Sequence, residues 1–157
     1  MTEVNYIRLI DLMNLNPHNL EMIKNQYLLL LSKLTRTDLL ENDIFKTNIE
    51  GIHKMGSIVV GIVHDSSNNF EIVSSGTIII EPKIIRGGKN VGHIEDIVVA
   101  DHMRGKGISQ KILEMLKTIA RDNNCYKVIL DCDNDVKNVY IKNGFEVKGL
   151  QMAQYFL

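Results

Sequence analysis

The sequence predicts a mixed α/β domain, in which a twisted and mostly antiparallel sheet packs with about four helices in the order β-α-α-β-β-β-α-β-α-β-β. Residues 57–64 and 70–80 are runs of branched side chains joined by the polar turn "DSSNN", which indicates a β-hairpin. Residues 91–99 form another strand-like run, which leads through glycines into an amphipathic helix and then into an apolar strand at 126–133. The second half therefore contains a βαβ unit beside antiparallel strands.

The N-terminal part predicts one strand and two helices. Residues 4–10 alternate as "VNYIRLI", which is typical of a half-buried strand. Asn16 can cap the first helix, and Pro17 suits its first turn. Its apolar residues recur at helical spacing: Leu20, Ile23, Tyr27, Leu30, Leu31 and Leu34. A second helix is expected from Thr37 onwards, through Leu40, Ile44 and Phe45.

The remaining predicted elements are a loop over 81–90, a helix over 107–124, a short helix over 135–144, and two last strands over 145–150 and 152–157. Pro82 interrupts the loop, and Gly144 can take the left-handed conformation that ends the last helix. The chain contains no internal repeat, low-complexity segment or linker. Its 157 residues predict one domain, 1–157.

Bulk composition excludes several classes of function. A net charge of −1 gives no basic footprint for nucleic acid, so a small ligand is expected instead. The longest apolar runs are far shorter than the ~18–20 residues that cross a bilayer, and the N-terminus lacks the apolar core of a signal peptide. Cys125 and Cys132 are interpreted as reduced thiols of a soluble, cytosolic protein.

No metal site is expected. Asp131, Asp133 and Asp135 alternate as in a calcium loop, but Val136 and Lys142 stand where such a loop needs glycine and glutamate. The five histidines are scattered without a zinc-ligand spacing, and His93 is interpreted as structural.

A glycine-rich turn between a strand and a helix indicates a phosphate ligand, because the first helical N–H groups lack partners and the helix dipole favours negative charge. The candidate residues are Arg104, Gly105, Lys106, Gly107, Ile108, Ser109 and Gln110. The spacing fits neither a P-loop nor a dinucleotide turn, whose third glycine is replaced here by Gln110. It fits the [QR]-x-x-G-x-[GA] pyrophosphate turn of acyl-CoA-dependent N-acetyltransferases, with Ser109 at the small last position. A plain helix-entry turn is the alternative for these residues alone.

The neighbouring motifs favour the acyl-CoA alternative. "GHIEDIVV", "RGKGIS", "NCYKVILDCD" and "NVYIKNGFE" follow one another in that order, and together they resemble the GNAT superfamily. The "ED" and "CYK" pieces, with "IIIEPKII" and "KLT", are similar to the eukaryotic glucosamine 6-phosphate N-acetyltransferase family. This resemblance implies the GNAT fold, acetyl-CoA as co-substrate, and acetylation of the amine of glucosamine 6-phosphate. It also implies a homodimer in which the C-terminal strand packs on the partner subunit.

The resemblance implies how acetyl-CoA is held. Residues 104–110 bind the pyrophosphate. Ile97, Val98 and Val99 lend backbone groups to the pantetheine arm, as an added strand would, and their amides could donate to the thioester oxygen. Asn138 is expected to contact the CoA arm. Tyr140, within a "Y-x-K-x-G-F" pattern, is expected to act as the general acid that meets the leaving thiolate.

The resemblance also places the acceptor. Glu95 orients the amine or relays its proton through water, Asp96 meets sugar hydroxyls, and Asp131 accepts a hydrogen bond from the amine or a hydroxyl. Adjacent strand residues face opposite sides, so Glu95 and Asp96 can reach one ligand only if a bulge intervenes. The residues expected at the sugar phosphate and the rest of the acceptor are Lys83, Arg86, Lys127, Tyr126 and Thr35.

Four positions depart from the family pattern: Val136 replaces an asparagine, Ser109 replaces glycine or alanine, Arg86 stands where relatives tend to carry histidine, and Tyr155 lies near the place of a C-terminal arginine. Two other functions stay open. One is acetylation of a different amine, such as a polyamine or a protein N-terminus, although Lys83, Arg86 and Lys127 favour an anionic acceptor. The other is an acyl-CoA-binding sensor without turnover. The general base is Glu95, a backbone carbonyl or water.

Overall fold

The computed structural model describes residues 2–156, and its centre is one sheet of five strands in the order β1-β2-β3-β4-β5. The first four strands pair antiparallel, whereas β4 and β5 pair parallel. The strands are β1 Asn5–Arg8, β2 Gly56–His64, β3 Phe70–Glu81, β4 Asn90–Val99 and β5 Cys125–Ile129. The predicted fold class and the βαβ unit are confirmed.

Helices cover both faces of this sheet. They are α1 Leu9–Leu15, α2 Leu20–Leu31, α3 Asn42–Met55, α4 Ile85–Gly88, α5 Ile108–Asp122 and α6 Lys137–Lys142, with 3-10 turns at Pro17–Asn19 and Asp101–Met103. Six α-helices replace the expected four or so, because α1 and the single turn α4 were not foreseen. No helix within residues 2–156 is long and apolar enough to cross a membrane.

Two apolar clusters hold the helices to the sheet. On one face, Leu9, Ile23 and Phe45 from α1, α2 and α3 pack with Ile58 and Val98. On the other face, Ile112, Leu113 and Leu116 of α5 pack against Val59, Ile78 and Ile94, which lie on β2, β3 and β4. The strand period of two sends neighbouring residues to opposite clusters. The middle strands of the sheet are therefore covered on both faces.

The predicted first strand is too long. β1 ends at Arg8, and Ile10 lies in α1, whose buried residues Leu9, Leu12 and Met13 have helical rather than alternating spacing. Asn16 does not cap α2. Its side-chain amide donates to the carbonyl of Leu12 at 2.9 Å and so closes α1.

The predicted start of the second helix at Thr37 is also wrong. α3 begins at Asn42, and the N–H of Phe45 donates to the carbonyl of Glu41 at 2.9 Å in its first turn. Upstream, the Lys24 ammonium donates to the carbonyl of Leu40 at 2.7 Å. This long-range bond ties residues before α3 to α2 and uses a carbonyl that a longer helix would need.

The C-terminal strands expected at 145–150 and 152–157 are not formed in the part of the chain that the structure describes; Leu157 lies outside it. β5 also ends at Ile129, short of the predicted 133. A strand needs a neighbour to satisfy its backbone groups, and β5 loses its neighbour when β4 diverges. Residues 146–156 are exposed and run without regular structure.

We expect the folded protein to lose stability below about pH 6.5 through His53, whose ordinary pKa lies there. Its Nε2 accepts the Ile58 N–H at 3.3 Å, and its buried Nδ1 has no hydrogen-bond partner among residues 2–156. Burial lowers the pKa of His53, the Arg8 charge lowers it further, and Asp11 partly offsets both. The unfolded chain therefore takes up the proton more readily, so the free energy of unfolding falls as pH falls.

Chemical denaturation at about pH 7.5 and 5.5, on either side of the ordinary histidine pKa, measures this loss. His53→Gln should lose less stability between the two pH values than the unmodified chain. His18→Gln, at an exposed position, serves as the control and should keep the full loss. An unchanged loss in His53→Gln would contradict the assignment.

Candidate active site

A β-bulge interrupts β4 at the acidic pair. Thr77 of β3 lies opposite Glu95 and Ser75 opposite Val98, so Gly76 alone faces two residues, Asp96 and Ile97. Asp96 has a positive φ of 52°, which L-residues rarely adopt. Glu95 and Asp96 were expected to reach one ligand only if a bulge lies between them and the regular strand, and this bulge is present. It also bends the strand at this point. Both acidic residues are exposed.

β4 and β5 form a fork. Their parallel pairing ends at His93 opposite Ile129, whereas β4 continues to Val99. Val98 and Val99 pair with β3 on one edge, and Ile97 lies in the bulge. Within residues 2–156, none of the three has a strand on the other edge. An unpaired edge of this kind can hydrogen-bond an extended ligand.

The glycine turn lies at the end of the fork, where β4 leads through Asp101–Met103 into α5. Gly105 and Gly107 have φ of 75° and 74°, so glycine suits both positions. A Cβ at either would meet nothing within 4 Å, which leaves this side of the turn accessible. The first amides of α5 lack helical partners, and no acidic residue lies in its first turn. The predicted anion site therefore has the necessary backbone geometry.

Asp101 links the glycine turn to the end of α2 through Arg104 and Lys33. Its carboxylate pairs with Arg104 Nη2 at 3.0 Å and accepts a hydrogen bond from Lys33 Nζ at 2.9 Å. The Lys33 bond is the main reason why the pKa of Asp101 is lowered, and the charges of Lys33 and Arg104 add to it. Sequence reasoning missed Asp101. The spacing of three residues to Arg104 in "DHMR" was the available signal.

An acidic cluster lies beside the bulge. Although the Glu95 side chain is largely exposed, partial burial of its carboxyl group raises its pKa, the negative charges of Asp96 and Asp131 raise it further, and His93 partly offsets them. Burial also raises the pKa of Asp96. The predicted residues Asp96 and Asp131 thus both come close enough to act on Glu95, although Asp131 follows the end of β5.

Tyr140 extends from α6 toward the apolar side chains of α5. Its ring packs edge-on against Phe145, with centroids 5.9 Å apart, and belongs to the α5 cluster. Burial raises the pKa of its hydroxyl, and the neighbouring Cys132 raises it further. The phenol therefore stays protonated at neutral pH, as a proton donor must. Asn138, also on α6, is exposed and makes no side-chain hydrogen bond in the described part of the chain.

Three predicted substrate residues converge at the start of β5. The Arg86 guanidinium lies 5.6 Å from the centroid of the Tyr126 ring, and the Lys127 ammonium lies 5.5 Å from it. Arg86 sits in α4 with a left-handed φ of 56°. Two cations are therefore gathered on one aromatic ring, as cation–π attraction favours.

Lys83 and Thr35 are placed differently. The Lys83 ammonium donates to Glu81, whose other carboxylate oxygen contacts His93. These contacts, led by the Lys83 bond, lower the pKa of Glu81. Sequence reasoning missed Glu81, although its diagonal position to His93 across an antiparallel pair was a usable signal. Thr35 lies exposed between α2 and α3.

The free edge of β4 can hold the extended arm of a CoA thioester while the glycine turn holds the phosphates of CoA. Fold and site together therefore define an acyltransferase that uses a CoA thioester. Comparison with protein families agrees, since the model described as "Acetyltransferase (GNAT) family" matches residues 32–145. The chain belongs to this family, and the resemblance found in the sequence is confirmed.

The chain is similar to several proteins that are named glucosamine 6-phosphate N-acetyltransferase. Glucosamine 6-phosphate N-acetyltransferase of Arabidopsis thaliana is 37% identical over 127 residues, which cover 81% of this chain and 85% of that protein. Probable glucosamine 6-phosphate N-acetyltransferase 2 of Oryza sativa subsp. japonica is 46% identical over 85 residues, which cover 54% of this chain and only 51% of that protein. A crystal structure of glucosamine-6-phosphate N-acetyltransferase from Arabidopsis thaliana superimposes with a TM-score of 0.79 at 30% identity, covering 99% of each chain.

Proposed function

We propose that this chain, as one domain over residues 1–157, transfers the acetyl group of acetyl-CoA to the amine of glucosamine 6-phosphate. The products are CoA and N-acetylglucosamine 6-phosphate. The observation that carries the proposal is the bulge, which sets an acidic pair directly beside the free edge of β4. The names of the relatives supply the substrate.

Acetyl-CoA would bind along the fork. The pyrophosphate meets the amides that begin α5, at Ile108, Ser109 and Gln110, with Arg104 and Lys106 supplying charge. Arg104 already pairs with Asp101, so its guanidinium is pre-oriented rather than free. The pantetheine arm lies against Ile97–Val99 as an added strand. A backbone amide there donates to the thioester oxygen as negative charge develops on it.

The acceptor amine must lose a proton before it attacks. Glu95, with its raised pKa, accepts that proton directly or through water. Asp96 and Asp131 receive hydrogen bonds from the sugar hydroxyls or the amine. Alignment of two bound reactants supplies most of the acceleration, on the order of 7–11 kcal/mol of the barrier.

The leaving thiolate needs a proton as the tetrahedral intermediate collapses. Tyr140 supplies it, because its raised pKa keeps the phenol protonated. Asn138 contacts the CoA arm from the same helix.

The sugar phosphate would bind where Arg86 and Lys127 meet on Tyr126. Lys83 is paired with Glu81, so it contributes less than these two. Thr35 closes the acceptor side from the segment after α2.

A thiol-release assay tests the function. Purified protein with acetyl-CoA should release CoA thiol on addition of glucosamine 6-phosphate, more slowly with glucosamine, and not with a polyamine. Release with a polyamine or a peptide N-terminus alone would replace the proposed acceptor. Binding of acetyl-CoA without release for any amine would contradict enzymatic transfer.

Lys127→Ala should raise KM for glucosamine 6-phosphate about tenfold with kcat little changed, because one charge-assisted hydrogen bond to the phosphate is lost. KM for glucosamine itself should not change, since that substrate carries no phosphate. Lys89→Ala, at an exposed position in the same region, is the control and should behave as the unmodified chain. A tenfold loss in kcat with unchanged KM would contradict the phosphate role.

A homodimer through the C-terminal segment is part of the proposal. Val147, Leu150, Met152, Tyr155 and Phe156 are 68–94% exposed on a segment without regular structure. Apolar side chains gathered in this way mark an interaction surface. Phe156→Asp should convert a dimer to a monomer in light scattering, and a monomeric unmodified chain would contradict the proposal.

We also propose a cytoplasmic location, as expected for a protein with reduced thiols. Cys125 and Cys132 are unpaired in the described residues. Cys132 is exposed, so titration of its thiol in protein freshly isolated from cells would test this assignment.

A further inference from the structure

Three hydroxyl side chains lie buried directly behind the active-site bulge. Tyr27 of α2 is 4% exposed, Ser75 of β3 is 0% exposed and Thr77 of β3 is 5% exposed. Tyr27 otherwise belongs to the apolar cluster of the first face. Burying a hydroxyl carries a free-energy cost unless it is hydrogen-bonded, so their arrangement needs an explanation.

The hydroxyls flank the bulge from the same side of the sheet. Ser75 and Thr77 are two residues apart on β3, and they lie opposite Val98 and Glu95. Gly76 between them faces the other side, where an added Cβ would approach Ile112 to 2.5 Å. The β3 residues on either side of the bulge thus both present a hydroxyl toward α2.

The hydrogen-bond donors and acceptors of these three hydroxyls show how they connect to the acceptor site. Ser75 Oγ donates to Tyr27 Oη at 3.2 Å, which leaves the phenolic hydrogen of Tyr27 in need of an acceptor. Burial raises the pKa of Tyr27 most, the Ser75 bond lowers it, the charge of Asp96 raises it, and a Thr77 bond lowers it. The Thr77 hydroxyl is therefore the neighbour that can receive the hydrogen, and the Asp96 charge lies near enough to act on Tyr27.

We propose that Tyr27 is a positioning residue for the acceptor site: Ser75 holds its hydroxyl in the core, and that hydroxyl fixes Thr77, which lies opposite Glu95 where the bulge that carries Asp96 begins. The inference rests on the proposed contact between Asp96 and the sugar. It extends the site to α2, on which no acceptor residue had been placed. The bulge is then held from both faces, by hydroxyls on one and by Ile97 packed beside α5 on the other.

Tyr27→Phe tests the proposal, because it removes the hydroxyl and keeps the ring that packs near Phe45. We expect kcat/KM for glucosamine 6-phosphate to fall about tenfold, since misplacement of an orienting group is costly in rate. KM for acetyl-CoA should stay within about twofold, because its turn and strand edge are untouched. A lower thermal midpoint with both kinetic constants unchanged would overturn the proposal in favour of a purely structural hydroxyl.

Ser75→Ala removes the inner end of the network and provides a second test if Tyr27→Phe folds poorly. It should reproduce the loss of kcat/KM to within a factor of a few. Ser74→Ala is the matched control, since Ser74 is its neighbour, is 0% exposed and has a hydroxyl without a partner in the described part of the chain. Equal kinetic losses in Ser74→Ala and Ser75→Ala would overturn the proposal.

A double-mutant cycle with Asp96→Asn separates this inference from the function beneath it. Tyr27→Phe should have little further effect in the Asp96→Asn background, because the group that it positions is already altered. Full additivity would overturn the positioning role and leave Asp96 in place. If Asp96→Asn alone changes neither kcat nor KM, Asp96 is not an acceptor residue and the inference fails, while acetyl transfer measured by thiol release stands.

Discussion

Tyr140→Phe is expected to lower kcat by about two to three orders of magnitude, the range typical for loss of a general acid. The substitution removes one oxygen and keeps the ring that packs on Phe145, so the fold and the position of α6 are retained. KM for acetyl-CoA should change by less than about threefold, because the phenol is asked to act at the leaving thiolate and not in the resting complex. Steady-state kinetics by thiol release measures both constants.

Tyr6→Phe provides the control for this experiment. Tyr6 is half-buried on β1, and burial raises the pKa of its hydroxyl as well, so the two positions are chemically comparable. Its kcat should stay at the level of the unmodified chain. If Tyr140→Phe retains more than about a tenth of kcat, the proton reaches the thiolate from elsewhere and the general-acid assignment is wrong.

Gly76→Val is expected to destabilise the fold by about 2–3 kcal/mol, as overpacking of a close-packed interior does. A Cβ at Gly76 would lie 2.5 Å from Ile112 Cγ2 and 2.7 Å from Ile97 Cδ1, so both side chains must move. Ile97 is the residue proposed to lend its backbone to acetyl-CoA. Its displacement should also raise KM for acetyl-CoA more than KM for the sugar phosphate.

Denaturant unfolding measures the loss of stability, with Gly51→Ala as the control. Gly51 lies in α3, and a Cβ there would meet nothing within 4 Å. That substitution should stabilise the fold by roughly 0.5–1 kcal/mol, because alanine restricts the unfolded chain and favours helix. If Gly76→Val unfolds at the same denaturant concentration as the unmodified chain, the bulge is not packed as described.

Local patterns in the sequence were sufficient to predict the hairpin of β2 and β3, the βαβ unit and the helix after the glycine turn. Each is specified by contiguous residues, as in the amphipathic run of α5. The start of α3 was not predictable in this way, because the bond from Lys24 to Leu40 joins residues sixteen apart in the chain. Likewise, α1 begins directly after β1, and a period of two cannot be told from a helical one over so few residues.

The site shows the same division. The motifs named Glu95, Asp96 and Arg104, because each lies in a recognisable stretch of chain. The register that creates the bulge was open, since it depends on which residue of β3 faces two residues of β4, and Gly76 is that residue. Asp101, Glu81 and Tyr27 were missed as partners because their roles arise from contacts across elements. Contacts between strands, or between a helix and a strand, depend on the whole fold and cannot be predicted from any one motif.

The free edge of β4 has a consequence for solubility. A strand edge with unpaired backbone groups can pair with another chain and seed aggregation, and proteins oppose this with charges and bulges at the edge. Here Glu95 and Asp96 supply the charge, and the bulge between them and Val98 breaks the regular repeat that a foreign strand would need. The two carboxylates that are proposed to bind the sugar therefore also oppose pairing of this edge with a foreign strand, while the narrow pantetheine arm of acetyl-CoA can still bind there.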